Sequence, residues 1–295
     1  MLNKKQFDIL CALENEGDSA TQRQIASATG LSLGSVNKSI SELTDAGLAT
    51  RSAITDAGIA ALEPYRVKRA IFVAAGFGSR LMPITLNTPK PLIRVNGTRI
   101  IDTMLDAVYA AGISEVYIVR GYLSEQFDQL LYKYPDIKFI ENKNYNESNN
   151  ISSIMCVKDI LANAYIMESD LFLNESSLIS KYQYSTNYLG VPVKRTDDWC
   201  FKKRGSFVSG FSLGGIDCYH MYGISYWSEA DAKRLSADLE KAYNSPGGHE
   251  LFWDQVPLQQ HLDDYKIMIR ECSLDSLNEI DTYRELINLD PSYKR

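Results

Sequence analysis

The residues best suited to chemistry lie in one tract, Ala75-Gly-Phe-Gly-Ser-Arg-Leu-Met-Pro-Ile-Thr-Leu-Asn-Thr-Pro-Lys-Pro91. Glycines at 76 and 78 let the backbone approach a phosphate with no Cβ in the way, and Ala75 and Ser79 beside them are small. Successive backbone N–H groups then face the anion. Arg80 adds a planar fork matched to phosphate oxygens, and Lys90 a compact charge whose aim is stiffened by Pro89 and Pro91. This is equipment for holding a polyphosphate. It is neither a dinucleotide fingerprint, which would need Gly where Leu81 stands, nor a Walker loop, which would need Gly-Lys-Ser/Thr.

A second tract, Tyr165-Ile-Met-Glu-Ser-Asp-Leu-Phe172, ends an apolar run on a carboxylate. Asp170 there suits Mg²⁺, which takes one or two carboxylates plus phosphate oxygens; a lone Asp in this place also serves as a cap. The amide-rich tract from Asn142 to Ile154 offers donor and acceptor edges to a pyrimidine, and its Ser148, Asn149 and Asn150 are equally good helix N-caps. Trp199 follows two aspartates, and Trp253 precedes Asp254. Aromatic faces beside a carboxylate hold a quaternary ammonium, each contact contributing roughly 0.5–2 kcal/mol. Tyr219, Tyr222 and Tyr226 are candidates to complete such a cage, and all of these aromatics are equally candidates for core. His220, His249 and His261 have no metal-ligand spacing and no nearby nucleophile, which predicts ordinary packing or exposure.

These residues need a scaffold, and the hydrophobic pattern predicts an α/β one. Short apolar runs at 70–75, 115–119, 138–141 and 164–167 read as buried strands. Helical periodicity over 101–111, 124–134 and 151–161 falls between them, and a short segment followed by a helix closes the chain from Asp275. Alternation of this kind predicts a doubly wound mixed sheet with ligands at the carboxyl ends of its strands. Residues 1–66 differ: apolar spacing over 7–14, 21–29 and 35–46 predicts helices around a turn at Gly30-Leu-Ser32. Thr21 and Ser32 are N-cap candidates, Gly47 a C-cap, and 48–54 a small hairpin or wing. With a linker at Glu63–Arg69, the expected domains are 1–66 and 67–295.

The first tract resembles the "GxGxR…TxxxPKP" signature of the sugar-phosphate and choline-phosphate nucleotidyltransferases through Gly76, Gly78, Arg80, Thr85, Pro89, Lys90 and Pro91. That resemblance implies that the Gly-rich loop and Arg80 hold a triphosphate and that Lys90 contacts the phosphate that changes hands. It also implies that Asp170 and Asp281, the latter in Asn278-Glu-Ile-Asp281, bind Mg²⁺, with Glu168 and Glu279 as weaker candidates. The stretch from Asn142 resembles the "NxxYxxxNNxxS" of LicC-type cytidylyltransferases, which implies CTP beside Asn149, Asn150 and Ser152; Gly121-Tyr122 after the second strand resembles the family's "GY", which implies that they border the base. The Trp253-Asp254 pair resembles a choline-phosphate cytidylyltransferase element, and with Trp199 and Tyr219 from the cage reading the expected acceptor contacts are Trp199, Trp253, Asp254 and Tyr219. The implied reaction is CTP plus phosphocholine giving CDP-choline and pyrophosphate. Other acceptors, namely 2-aminoethylphosphonate, phosphoethanolamine or a sugar 1-phosphate, are the alternatives within the class. Residues 25–48 resemble the winged helix-turn-helix of MarR type.

Composition bounds these expectations. The 295 residues are 45% hydrophobic and 23% charged, with net charge -6, which fits an ordinary folded chain and excludes a generally basic nucleic-acid coat protein. Five scattered cysteines without a CxxC pair argue against a disulfide framework or zinc ribbon, and with no signal-peptide or membrane-length apolar run they predict a cytoplasmic protein. Residues 1–66 carry six basic and eight acidic side chains, leaving -2, and the recognition-helix candidate holds only Lys38. This disfavours phosphate-driven DNA binding. A homodimer or a regulatory partner surface is an equal reading of that domain, and a DNA-binding regulator with a ligand-sensing second domain is the alternative from another class.

Overall fold

The computed structural model describes residues 1–17 and 19–294, and the chain divides into two compact units. The first comprises Met1–Arg66 with Tyr182–Tyr184. Its helices are α1 (Lys4–Glu16), α2 (Gln22–Thr29), α3 (Leu33–Asp45) and α4 (Asp56–Leu62). Capping explains their starts: Asn3 and Thr21 each form a capping box with the Gln three residues on, and Ser32 accepts from the Ser35 N–H. Gly47 follows α3 in the left-handed conformation (φ 73°). Ile9, Leu10, Leu13, Ile25, Val36, Ile40 and Leu43 meet in a buried core, with the Phe7, Tyr65 and Tyr184 rings at its edge. The expected wing is reduced to a single bridge, Ala49 to Ile54.

The second unit comprises Val67–Lys181 and Ser185–Arg295. Its strands are β1 (Arg69–Ala74), β2 (Arg94–Val95), β3 (Thr98–Arg99), β4 (Glu115–Arg120), β5 (Lys138–Glu141), β6 (Ala164–Glu168), β7 (Leu171–Leu173), β8 (Asn187–Arg204), β9 (Phe207–Trp227), β10 (Met268–Glu271) and β11 (Leu277–Glu279). The described residues form a seven-stranded sheet in the order β10-β8-β9-β6-β1-β4-β5. β1 lies parallel between β4 and β6, while β9 runs antiparallel to both β6 and β8. The sheet is therefore mixed, as expected.

β1 shows why its sequence is apolar without a break. Ala70, Phe72 and Ala74 pack on one face with Met104, Leu105 and Val108 of α5 (Ile100–Ala110). Ile71 and Val73 pack on the other with Ile154 of α6 (Ile151–Met155) and Leu235 of α7 (Glu229–Tyr243). A strand covered on both faces loses the polar half of its alternation. Two expected helices are altered: 124–132 is a 3₁₀ helix, and 151–161 divides into α6 and a 3₁₀ turn at Lys158–Ile160. The β8–β9 hairpin, turning at Gly205 (φ 64°), is not legible in the sequence, because register shifts and scattered glycines break its period-2 pattern. At the C-terminal end, β11 pairs with β7 and leads into α8 (Tyr283–Leu289).

Candidate active site

A cavity of about 360 Å³ opens at the carboxyl ends of β1 and β6. β1 delivers Ala75, Gly76, Gly78, Ser79 and Arg80 to its lining. Gly78 is left-handed (φ 61°), and a Cβ there would stand 3.0 Å from Lys90 Cβ and 3.1 Å from Thr85 Cγ2. A Cβ on Gly76 would meet no protein atom within 4 Å. Thr85, fully buried, donates to the Gly78 carbonyl at 2.9 Å and so closes the loop on itself.

Lys90 also lines the cavity, with its ammonium 2.9 Å from Asp170 Oδ2 and 2.8 Å from Asp281 Oδ1. Arg80 reaches the same Asp281 oxygen at 2.8 Å while its side chain stays 66% exposed. Burial alone would lower the Lys90 pKa, but Asp170 and Asp281 more than offset it and hold it above the ordinary lysine value. Carboxylate oxygens of Asp170, Glu279 and Asp281 lie within 4.8 Å of one another. Asp170 Oδ1 is buried with no hydrogen-bond partner among the described residues. An all-oxygen set with an orphaned carboxylate oxygen fits a hard divalent cation such as Mg²⁺. The N-cap of α8 is Thr282, which forms a capping box with Glu285, so Asp281 is left out of the cap and turned to the cavity.

His220 does more than pack. Its Nε2 is 3.4 Å from Glu279 Oε2, and its Nδ1 is 3.0 Å from Thr196 Oγ1. Burial, with Asp170 and Asp281 nearby, pushes the Glu279 carboxyl up to about 7 despite the His220 hydrogen bond. Sequence spacing could not reveal this link, because His220 and Glu279 are joined only by the fold of β9 and β11.

The amide-rich segment supplies Asn142, Ser148, Asn149, Asn150, Ser152 and Ser153 to the lining. Asn142 Nδ2 donates to both Ser152 Oγ and Ser153 Oγ, at 2.9 and 3.0 Å. Asn150 stands at the start of α6 yet makes no side-chain cap bond. Its side chain accepts from the Trp253 N–H at 2.9 Å and donates to Glu168 Oε1 at 3.1 Å. Phe77 and Tyr145 line the cavity as well, their rings 5.4 Å apart; Tyr145 is the Tyr of the amide-rich motif, whereas Phe77 carries no signal in the sequence that marks it for the site. Gly121 lies beneath Tyr145, where a Cβ would come within 2.6 Å of the ring, and Tyr122 bonds the Thr85 carbonyl at 3.0 Å; both border the cavity-lining residues without lining it.

The four expected acceptor contacts lie outside that lining. Trp253 is 2% exposed and stacks on Tyr188, with its Nε1 3.3 Å from Glu168 Oε1. Asp254 is buried and accepts from the Tyr188 hydroxyl. Trp199 stacks on Phe211 with ring centres 4.6 Å apart, and Tyr219 donates to Glu271 at 3.0 Å. Tyr222 and Tyr226 are buried in the core beside α5. These aromatic positions thus have apolar packing or hydrogen-bonding roles that their placement beside acidic residues could not distinguish from a cage.

Known proteins resemble the chain in both units. Residues 69–186 match the nucleotidyl transferase family model, and residues 2–50 match a winged helix-turn-helix DNA-binding model. A 2-aminoethylphosphonate cytidylyltransferase of Lancefieldella rimae is 38% identical over 228 residues, covering 76% of this chain and 92% of that protein. The choline-phosphate cytidylyltransferase of Streptococcus pneumoniae is 30% identical over 231 residues, covering 77% and 98%. The solved structure of the CTP:phosphocholine cytidylyltransferase from Streptococcus pneumoniae superposes with a TM-score of 0.72 at 30% identity, over 78% of this chain and all of that one.

Proposed function

The chain belongs to the nucleotidyltransferase family, and from that premise we propose that it transfers CMP from CTP to a small phosphorus-containing acceptor bearing an amine, first among them 2-aminoethylphosphonate. The observation that carries the nucleotidyl transfer is the convergence of Lys90, Arg80, Asp170 and Asp281 beside the open backbone at Gly76. A phosphonate or phosphate oxygen of the acceptor is already anionic and attacks the α-phosphorus without a strong general base. The new P–O bond forms as the bond to the β-phosphate breaks, and pyrophosphate leaves with the electron pair. Catalysis is then positioning and neutralisation of charge. Arg80, exposed at the mouth, fits the leaving pyrophosphate, and Lys90 fits the phosphate in transfer. Mg²⁺ held by Asp170 and Asp281, with Glu279 beside them, would supply the positive charge that lets two anions approach.

Two observations favour 2-aminoethylphosphonate over phosphocholine. The relative with that activity is the more similar of the two, and neither Trp199 nor Trp253 presents a ring to the cavity, as a cage for a quaternary ammonium requires. Phosphocholine is the second reading on the strength of the superposition. Pyrophosphate release with CTP and Mg²⁺ tests both. Preference for 2-aminoethylphosphonate supports the first reading, preference for phosphocholine replaces it with the second, and no release with any phospho-acceptor sinks the transferase proposal.

A further inference from the structure

Glu168 is a carboxylate that the reaction above leaves without a task. It ends β6, lines the cavity, and lies two residues before Asp170. Both of its hydrogen bonds converge on one oxygen: Asn150 Nδ2 at 3.1 Å and Trp253 Nε1 at 3.3 Å, each to Oε1. Gly223 of β9 presses on its stem, where a Cβ would come within 2.5 Å of Glu168 Cγ. The side chain is thereby locked, and among the described residues no hydrogen bond reaches Oε2. Ionised, a carboxyl fixed in this way offers Oε2 as a free acceptor; neutral, it carries its proton on Oε2 and both donates and accepts there.

What enters can be narrowed by place. The cavity's phosphate and cation groups come from the loop after β1, from Lys90, and from Asp170 and Asp281; its amides come from the segment 142–153. Glu168 belongs to both sets, bonded to Asn150 on one side and next but one to Asp170 on the other. A nucleoside triphosphate that lays its base on the amides and its phosphates on the loop has its pentose at that junction. Phosphate oxygens bring only acceptors and repel a carboxylate, whereas a ribose brings vicinal hydroxyls that both donate and accept and so suit Oε2 in either form. Acidic side chains recognise ribose hydroxyls in other nucleotide folds for the same reason.

We propose that Glu168 recognises the ribose hydroxyls of the nucleotide and makes the site select a ribonucleotide over a deoxyribonucleotide; Asn150, Trp253 and Gly223 are the positioning residues that aim it. The inference rests on the cytidylyltransferase reading. Its test is the ratio of kcat/KM for CTP to that for dCTP, with nucleotide Kd measured by calorimetry, in the full chain and two variants. The wild type favours CTP by a factor on the order of 10 to 100, the expected value of one hydrogen bond to a buried polar group. Glu168→Ala brings the ratio near one. Glu168→Gln accepts the same two bonds and offers the ribose an N–H in place of a free acceptor, so it lowers the ratio several-fold; it decides the matter alone if the Ala variant does not fold. The KM for the acceptor stays unchanged in both. A wild type that binds CTP and dCTP alike overturns this inference only, as does a ratio untouched by both variants or a rise in acceptor KM with the ratio retained. A wild type that binds neither nucleotide overturns the cytidylyltransferase reading with it.

Discussion

At the scale of single residues, two buried charges do different work. Lys90 is held between Asp170 and Asp281 and is, among the described residues, the one ammonium within hydrogen-bond reach of both. Lys90→Ala is expected to lower kcat by about 10²–10³-fold, the usual cost of removing one preorganised charge from a transition state. The fold should survive, and retained turnover with an unchanged circular-dichroism spectrum would refute the role. Asp254 acts on stability instead, and costs it once ionised. Burial pushes its carboxyl up to about 7, although the Tyr188 hydroxyl works against the shift. The unfolded chain gives up that proton near the ordinary aspartate value, so the folded state binds the extra proton in between. Stability should therefore fall as pH rises from about 4 to about 7, by at most about 1.4 kcal/mol per pH unit from this group. Asp254→Asn should flatten that slope and be the more stable protein at pH 8, as measured by denaturant midpoints at pH 5 and pH 8; parallel slopes in the two proteins would refute it.

At the scale of elements, the loop after β1 separates two uses of glycine. Gly78 needs its left-handed φ of 61° and has Lys90 and Thr85 packed against it. Gly78→Ala should cost about 1–2 kcal/mol in backbone strain and also displace Lys90, lowering both the melting temperature and kcat. Gly76 faces open space, with no protein atom within 4 Å of where an alanine methyl would stand. Gly76→Ala should leave stability within about 0.5 kcal/mol and raise the KM for CTP, because the methyl group enters the phosphate site. Equal stability losses at the two positions would show that the loop is a packing turn rather than an anion cradle.

At the scale of the whole molecule, a helix-turn-helix unit accompanies the transferase unit in one chain. No described helix is long and apolar enough to cross a membrane. Residues 2–50 match a DNA-binding family model, yet residues 1–66 carry six basic side chains against eight acidic ones. Non-specific DNA affinity should be no better than roughly 10 μM at physiological salt. A fluorescence-anisotropy titration with a random-sequence duplex measures it, and binding tighter than that would show that the unit's surface outweighs its net charge. We propose the boundary near residue 66 as the functional division, with Tyr182–Tyr184 packed in the first unit.

The local sequence determined what depends on neighbours along the chain: the caps at Thr21 and Ser32, the apolar strands, and the turn that presents Gly76, Gly78 and Arg80. These are decided by propensity and by backbone stereochemistry, which act over a few residues. Tertiary structure decided the rest. It placed Asp281 on Lys90 across 191 residues, joined His220 to Glu279, and drew Trp253 into the core with only its N–H edge turned to Glu168. A tryptophan beside an aspartate has the same sequence whether its ring faces a ligand or Tyr188. Burial is a property of the assembled layers, so only the packing of α6, α7 and the sheet could choose between them.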